Sequence, residues 1–340
     1  MPAGASDLPD IYLIVLDSHT RSDVLQETYG HDNLAFIQSL RDLGFYVADC
    51  SQSNYPTTKF SISSLMNMNY LQDEFPNQDI LPPLSASKVS QQLRSRGYTF
   101  IRFEHYSESH FDLKEDILLS RNNSPLKLGL FTQGMNEFEA MLVETTALRV
   151  FFDMPRLLPG VDFSRAKYRE HYLQTQYILE TLPNIPETHS PRFVYAHLLV
   201  PHDPYIFTPD GEYKETTSTI RGYRDNVQFI DQAILPVLKS IIENSPIPPI
   251  ILLQGDHGPS GKIVTPEMRL AILNTYFVSP SAAANLYPTI TPVNSFRVIF
   301  NEYFDGYYPL QEDRSYYAYE TTEFKPEFII PNTCTPSGLQ

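Results

Sequence analysis

The stretch "DIYLIVLD", residues 10–17, decides the fold. Six consecutive apolar residues between two aspartates leave no polar face, so the run reads as a strand buried on both sides. A strand of that kind belongs to a parallel sheet covered by helices on each face, and it leaves Asp17 at its C-terminal end. Working outward, "DNLAFIQSLRDLGF" has helical spacing with a stop at Gly44, and "YVADC" is extended. The segment "LSASKVSQQLRSRGYTFIRFE" reads as a helix capped by Ser85 or Ser87 and ended by Gly97, with a strand after it. Helix then strand recurs in "RAKYREHYLQTQYILETL" and "RFVYAHLLV", and again in "TIRGYRDNVQFIDQAILPVLKSIIENS" and "PIPPIILLQGDHG". A strand over "RLAILNTYFV" and a helix over "VNSFRVIFNEYF" follow. The alternation predicts an α/β fold with a mostly parallel sheet.

No linker of flexible composition divides the 340 residues, so a single domain spanning 1–340 is expected. Residues 104–160 are less regular and read as a cap or insertion, and the proline-containing tail, 325–340, as irregular. The chain carries 25 Lys and Arg against 40 Asp and Glu, a formal charge of −15, which argues against nucleic acid or an anionic membrane surface as a general partner. An anionic substrate would need local help from a metal ion or a helix end. Two cysteines, Cys50 and Cys334, are too few for a disulfide framework, and the sequence leaves them open to pairing or to remaining free thiols. The N-terminus lacks the regions of a signal peptide, and no apolar run approaches the roughly 18 residues of a transmembrane helix, so the chain as given is expected to be soluble.

In parallel sheets ligands collect beyond the C-terminal strand ends, and Asp17, His202, Asp256 and His257 all fall there. Asp17, Asp256 and His257 are a fitting donor set for a divalent cation, and a threonine oxygen would make four ligands. Thr57 and Thr58, in "SNYPTTKFSISSLMNM" (53–68), precede an apolar helix, where a hydroxyl either caps the helix or serves an anion bound at its N-terminus. A metal-activated threonine could attack phosphorus or sulfur, with His202 assisting. Taken singly, "GDHG" and "PHDP" are equally compatible with ordinary turns.

Six blocks in order carry a family resemblance: "PDIYLIVLDSHTRSDVL", "LGFYVADCSQSNYPTTKFSISSLMNMNYL", "FVYAHLLVPHDPYIF", "ILLQGDHGPSG", "RLAILNTYFV" and "TPVNSFRVIFNEYF". Over roughly residues 9–320 the chain resembles sulfatase-like hydrolases of the alkaline phosphatase superfamily, in the branch of lipoteichoic acid synthases and lipid A phosphoethanolamine transferases. The resemblance implies a three-layer α/β/α sandwich around a large mostly parallel sheet. It also implies one divalent metal ion (Zn, Mn, Mg or Ca) held by Asp17, Thr58, Asp256 and His257. Thr58 would be the nucleophile, forming a phospho-threonine, because related sequences show "SNYP", any residue, then threonine. His202 would be the substrate-side histidine. Read from the sequence itself, Asp203 beside it is open to substrate contact, to raising the histidine's pKa, to tuning a second metal or to capping a turn, and Arg21, Lys262, Glu267 and Arg269 could meet substrate charge or form structural ion pairs.

The expected activity is metal-dependent phosphoryl transfer, as a phosphoester hydrolase or a phosphoglycerol- or phosphoethanolamine-type transferase. The expected partner is an anionic phosphoester, a lipid headgroup or glycan among the candidates. The alternatives are a sulfate-ester hydrolase without formylglycine and an inactive binding protein with this fold. No C/S-x-P-x-R motif is present for formylglycine formation, and no histidine follows His257, so a two-metal set is incomplete. "PHDPY" departs from the "PHPP" of related sequences at Asp203. Membrane transferases of this branch carry the catalytic domain outside the cytoplasm, which would be the location here if the chain comes from such a parent.

Overall fold

The structure, a computed structural model, describes residues 8–76, 81–104, 112–121, 163–185, 191–317 and 328–335. Strand β1, Ile11–Leu16, is fully buried, as its unbroken apolar run requires. It is flanked in parallel by β5, Arg192–Leu198, and β6, Ile250–Gln254. With β2 (Tyr46–Val47), β3 (Thr99–Phe103), β4 (Ile117–Leu119) and β7 (Asn274–Phe277), they form a seven-stranded sheet in the order β2-β7-β6-β1-β5-β3-β4. Only the pairings of β7 are antiparallel. The sheet is mostly parallel, as the alternation of elements predicts.

Residues of β1 divide by parity. Tyr12, Ile14 and Leu16 pack into a core with helices α2 (Leu34–Asp42), α6 (Phe163–Thr181) and α7 (Thr219–Asn244). Ile11, Leu13 and Val15 face the opposite core, built on α3 (Thr58–Asn67), α5 (Lys88–Ser95) and α10 (Pro292–Tyr303). Each such side chain contributes roughly 1.5–3 kcal/mol on burial. The result is a helix layer on each face of the sheet. At the opposite end from the site, Asp10 accepts from the Arg192 backbone N–H at 2.7 Å and from its guanidinium, which pins the starts of β1 and β5 together.

Three local readings are refined. Ser87, not Ser85, caps α5, accepting from the Ser90 N–H. The run "RLAILNTYFV" is not one strand: Leu270 ends the short helix α8, Pro266–Leu270, and pairing along β6 begins only at Asn274. Thr265, whose hydroxyl accepts from the Met268 N–H, and Pro266 at the first turn favour that helix locally. Between β1 and α2 the chain also holds α1, Ser22–Tyr29, a helix the sequence reading does not include, its apolar positions Val24, Leu25 and Tyr29 buried against α7.

Within 104–160, Ile117–Leu119 extends the sheet edge, while 105–111 and 122–160, the rest of the expected cap, lie outside the described residues. In the tail, Phe328–Ile329 pairs with Tyr316–Tyr317, and Cys334 forms a disulfide with Cys50. The cysteines left open by the sequence are therefore a crosslink between the tail and the loop that leads to Thr58. Among the described residues no helix is long and apolar enough to cross a membrane.

Two packing constraints shape the loops beyond the strands. A Cβ at Gly255 would stand 2.2 Å from the His19 carbonyl oxygen, and one at Gly258 would stand 2.1 Å from that of Met268. The loop after β6 therefore passes against backbone on both sides, and only glycine fits.

Gly255→Ala is expected to destabilise the protein by about 1–3 kcal/mol in urea unfolding, because the His19 carbonyl is itself fixed by the Leu273 N–H at 3.0 Å. An unchanged midpoint would show that the loop has slack. The double variant Cys50→Ser/Cys334→Ser should lose about 2–4 kcal/mol, and a reductant should impose the same shift on the wild type.

Candidate metal centre

The three central strands end side by side, and their exits build the site. The backbone turns abruptly after β1 at Ser18, whose φ of 67° is in the left-handed region that a serine occupies only under constraint. The constraint is visible: the Ser18 N–H donates to Asp256 Oδ1 at 3.0 Å, and the Tyr223 hydroxyl on α7 donates to the Ser18 carbonyl at 2.8 Å. Next to it, His19 Nε2 is 2.7 Å from Asp231 Oδ1, also on α7, and both residues are buried. The loop after β1 is thus fastened to β6 on one side and to a long helix on the other.

Asp17, Asp256 and His257 each offer a ligand atom, all within 4.8 Å of one another, and all three residues are buried. Their outer atoms are already engaged. Asp256 Oδ1 takes the Ser18 N–H, and His257 Nδ1 lies 2.9 Å from the Gly258 carbonyl, to which it donates when protonated there. That tautomer leaves the Nε2 lone pair facing Asp256 Oδ2 at 3.3 Å and Asp17 Oδ1 at 3.8 Å. Asp256 Oδ2 is buried with no hydrogen-bond partner among the described residues. Three acceptors converging in a buried place repel one another, a repulsion offset at Asp17 Oδ1 by the Ser18 hydroxyl donating at 3.1 Å, and two buried carboxylates carry two negative charges. A divalent cation answers both problems, and the oxygen and imidazole donors suit zinc or manganese.

Thr58 joins this group. Its Oγ1 is 3.1 Å from His257 Nε2, at the first residue of α3. Neither threonine caps the helix: Thr57 occupies the N-cap position with extended backbone angles, but its hydroxyl makes no capping bond and is buried without a partner among the described residues. The capping alternative for this stretch is therefore not the one adopted. Arg269 locks the arrangement from outside, donating from Nε to the Pro56 carbonyl and from its terminal nitrogen to the Gly258 carbonyl, both at 2.8 Å. Arg269 thus holds the "YPTT" and "GDHG" turns together through their backbone carbonyls.

His202 lies past β5, its ring centre 6.3 Å from that of His257. Its Nδ1 donates to the Asp203 carbonyl at 2.6 Å and stands 3.2 Å from that residue's carboxylate, while Asp203 itself is largely exposed. Arg21 is not brought into this group. Its guanidinium grips Asp23 in two bonds, at 3.0 and 2.7 Å, and donates to the Ser51 carbonyl, lining a separate cleft of about 470 Å³ beside Cys334.

Electrostatics match a preformed cation site. Burial alone would raise the Asp17 carboxyl, but facing His202, the His197 hydrogen bond and nearby His257 outweigh it and hold the group well below the usual carboxylate range. Burial, reinforced by Arg269 and opposed by Asp256 and Asp17, pushes His257 down to about 4, so the imidazole is neutral at pH 7. His202 moves the other way: burial opposes its charge, yet Asp17, the Asp203 carbonyl and the carboxylates of Asp203 and Asp256 raise it. One histidine is thus suited to ligation and the other to carrying a proton.

Sequence reasoning missed Ser18, Tyr195, His197 and Tyr223. A polar residue inside an otherwise apolar strand, as His197 is in "FVYAHLLV", was the available signal. Its partner across the sheet could not be read from the chain.

Comparison with known proteins agrees with this architecture. The sulfatase family model matches residues 9–269. No curated protein matches the sequence. Among solved structures, the C-terminal periplasmic domain of EcEptC from Escherichia coli, in complex with Zn, superposes with a TM-score of 0.60 at 12% identity, covering 99% of this chain and 96% of that one. The corresponding domain of phosphoethanolamine transferase EptC from Campylobacter jejuni gives 0.53 at 11% identity, over 90% and 92%. The soluble domain of lipooligosaccharide phosphoethanolamine transferase A from Neisseria meningitidis gives 0.50 at 12% identity, over 88% of each. From the family match across residues 9–269, which is more than half of its length, the chain belongs to the sulfatase family.

Proposed function

We propose that the protein is a metal-dependent phosphoryl-transfer enzyme with Thr58 as its nucleophile. The observation that carries this reading is the Thr58 hydroxyl at the N-terminus of α3, 3.1 Å from the inward nitrogen of His257 and beside two buried carboxylates. Asp17, Asp256, His257 and Thr58 would hold one divalent ion. When bound, that ion lowers the hydroxyl pKa and offsets charge on the phosphoryl oxygens. The first N–H groups of α3 point the same way and add the positive end of the helix dipole.

Thr58 Oγ, its proton released to solvent, forms a bond to phosphorus as the bond from phosphorus to the leaving oxygen breaks. His202, with Nδ1 tied to Asp203 and its charge favoured by the surrounding carboxylates, gives a proton from Nε2 to that oxygen. A water or an acceptor hydroxyl then attacks the phospho-threonine, with His202 now taking the proton, and Thr58 is regenerated. Phosphate is favoured over sulfate because the family's oxidised Cys or Ser is replaced by an ordinary threonine, and two of the structurally similar domains are named as phosphoethanolamine transferases. An anionic lipid headgroup bearing a phosphodiester is the substrate class that this analogy favours, and an extracytoplasmic location goes with it.

Thr58→Ala should lower turnover of bis(p-nitrophenyl) phosphate by about 10³-fold or more while leaving the circular dichroism spectrum unchanged. Acid quenching of the wild type should trap phosphate on the Thr58 peptide, and full activity in the variant would refute the nucleophile. Asp256→Ala should lose the divalent ion found by elemental analysis of the wild type. For the metal-free protein the sign of pH dependence follows from His257: it resists protonation when folded but not when unfolded, so stability falls as pH drops from about 6.5 toward about 4. The thermal midpoint of His257→Gln should therefore fall less across that range than the wild type's.

A further inference from the structure

Asp17 and Asp256 solve the same problem by different means. Each must hold one carboxylate oxygen back and present the other. Asp256 is held by a backbone donor, the Ser18 N–H. Asp17 has no equivalent in the strand beside it, because its own N–H is spent on the Leu198 carbonyl at 2.9 Å and β5 offers that carbonyl, an acceptor, at this level. The donor comes instead from a side chain. His197 Nε2 is 3.2 Å from Asp17 Oδ2, and His197 Nδ1 is 3.1 Å from the Tyr195 hydroxyl.

The register explains the reach. His197 lies opposite Val15 in the parallel β1/β5 pair, so Asp17, two residues on, projects from the same face one pleat further along. Tyr195 and His197 share that face for the same reason. Tyr195, His197 and Asp17 are all buried, His197 being 2% exposed, so the ring has no access to a bound substrate. With the Tyr195 hydroxyl donating to Nδ1, the proton of the neutral imidazole sits on Nε2 and is donated to Asp17 Oδ2. Asp17 Oδ1 is then the oxygen turned toward His257, where it also accepts from the Ser18 hydroxyl at 3.1 Å.

We propose that His197, oriented by Tyr195, is a positioning residue for the Asp17 carboxylate, holding its outer oxygen so that the inner one is presented to the metal ion. The assignment rests on the metal-centre reading above. It requires a donor at the position of Nε2 and nothing else of the ring, which separates it from ligation and from packing.

The test is zinc affinity of the purified metal-free protein, by competition with a chromophoric chelator, for the wild type, His197→Leu, His197→Gln and Tyr195→Phe. His197→Leu should bind zinc about 10–100-fold more weakly. His197→Gln, whose amide N–H reaches the place of Nε2–H, should recover most of that loss, and Tyr195→Phe should lie between. Cobalt-substituted His197→Leu should show altered visible bands, and His197→Gln bands near those of the wild type. If His197→Leu fails to fold, as judged by its thermal midpoint, the loss expected in Tyr195→Phe, a change of one oxygen atom, carries the test.

Equal affinity in wild type, His197→Leu and Tyr195→Phe would overturn the positioning role while leaving the metal centre intact. Affinity in His197→Gln as weak as in His197→Leu would overturn it in favour of ligation or packing. A wild type that binds no zinc would overturn the metal-centre reading itself.

Discussion

Two carboxylates, Asp17 and Asp256, are buried next to each other at the ends of adjacent parallel strands, and much of the surrounding structure follows from that constraint. Burying like charges together is unfavourable by several kcal/mol per ion unless something compensates. The compensation is organised atom by atom. Ser18, forced to a positive φ, gives its N–H to Asp256 and its hydroxyl to the inner oxygen of Asp17; His197 reaches across from β5 to the outer oxygen of Asp17; the inward oxygens face His257 Nε2. Glycines on either side of the Asp256-His257 pair let the loop pass close enough to backbone for this geometry to exist.

The layers beyond the site act as its supports. Helix α7 holds the loop after β1 through Tyr223 and Asp231, and α3 delivers Thr58 from the opposite face of the sheet. Arg269 crosses between the turn that carries Thr58 and the turn that carries His257, so the two halves of the centre cannot separate without breaking its hydrogen bonds. The disulfide lies behind that same loop, joining Cys50 to the tail. In the proposed phosphoryl transfer, a rigid site of this kind would limit the reorganisation needed as charge develops.

On the proposed reading a nucleophile stands at the start of α3 and metal ligands at the strand ends, and two departures from related sequences bear on it. No histidine follows His257, and Asp203 follows His202. The second departure has a local consequence: the Asp203 carbonyl and carboxylate both contact the imidazole and favour its protonated form, beside a His257 whose burial keeps it neutral. Two imidazoles about 6 Å apart are thereby given opposite protonation preferences.

Much of this was legible in the chain. Unbroken apolar runs such as "DIYLIVLD" and "PIPPIILLQ" state that their strands are covered on both faces, because burial is a property of each residue's own chemistry and period. The position of Asp17, Asp256 and His257 at strand ends was readable for the same reason. What the sequence left open was everything set by contacts between distant segments. That the Thr57 hydroxyl makes no capping bond while Thr58 meets His257, that Arg21 turns to Asp23 and away from the centre, that Cys50 finds Cys334, and that His197 lies against Asp17 all depend on which segments lie side by side and in what register. Those relations are decided by packing across the sheet, and no local pattern encodes them.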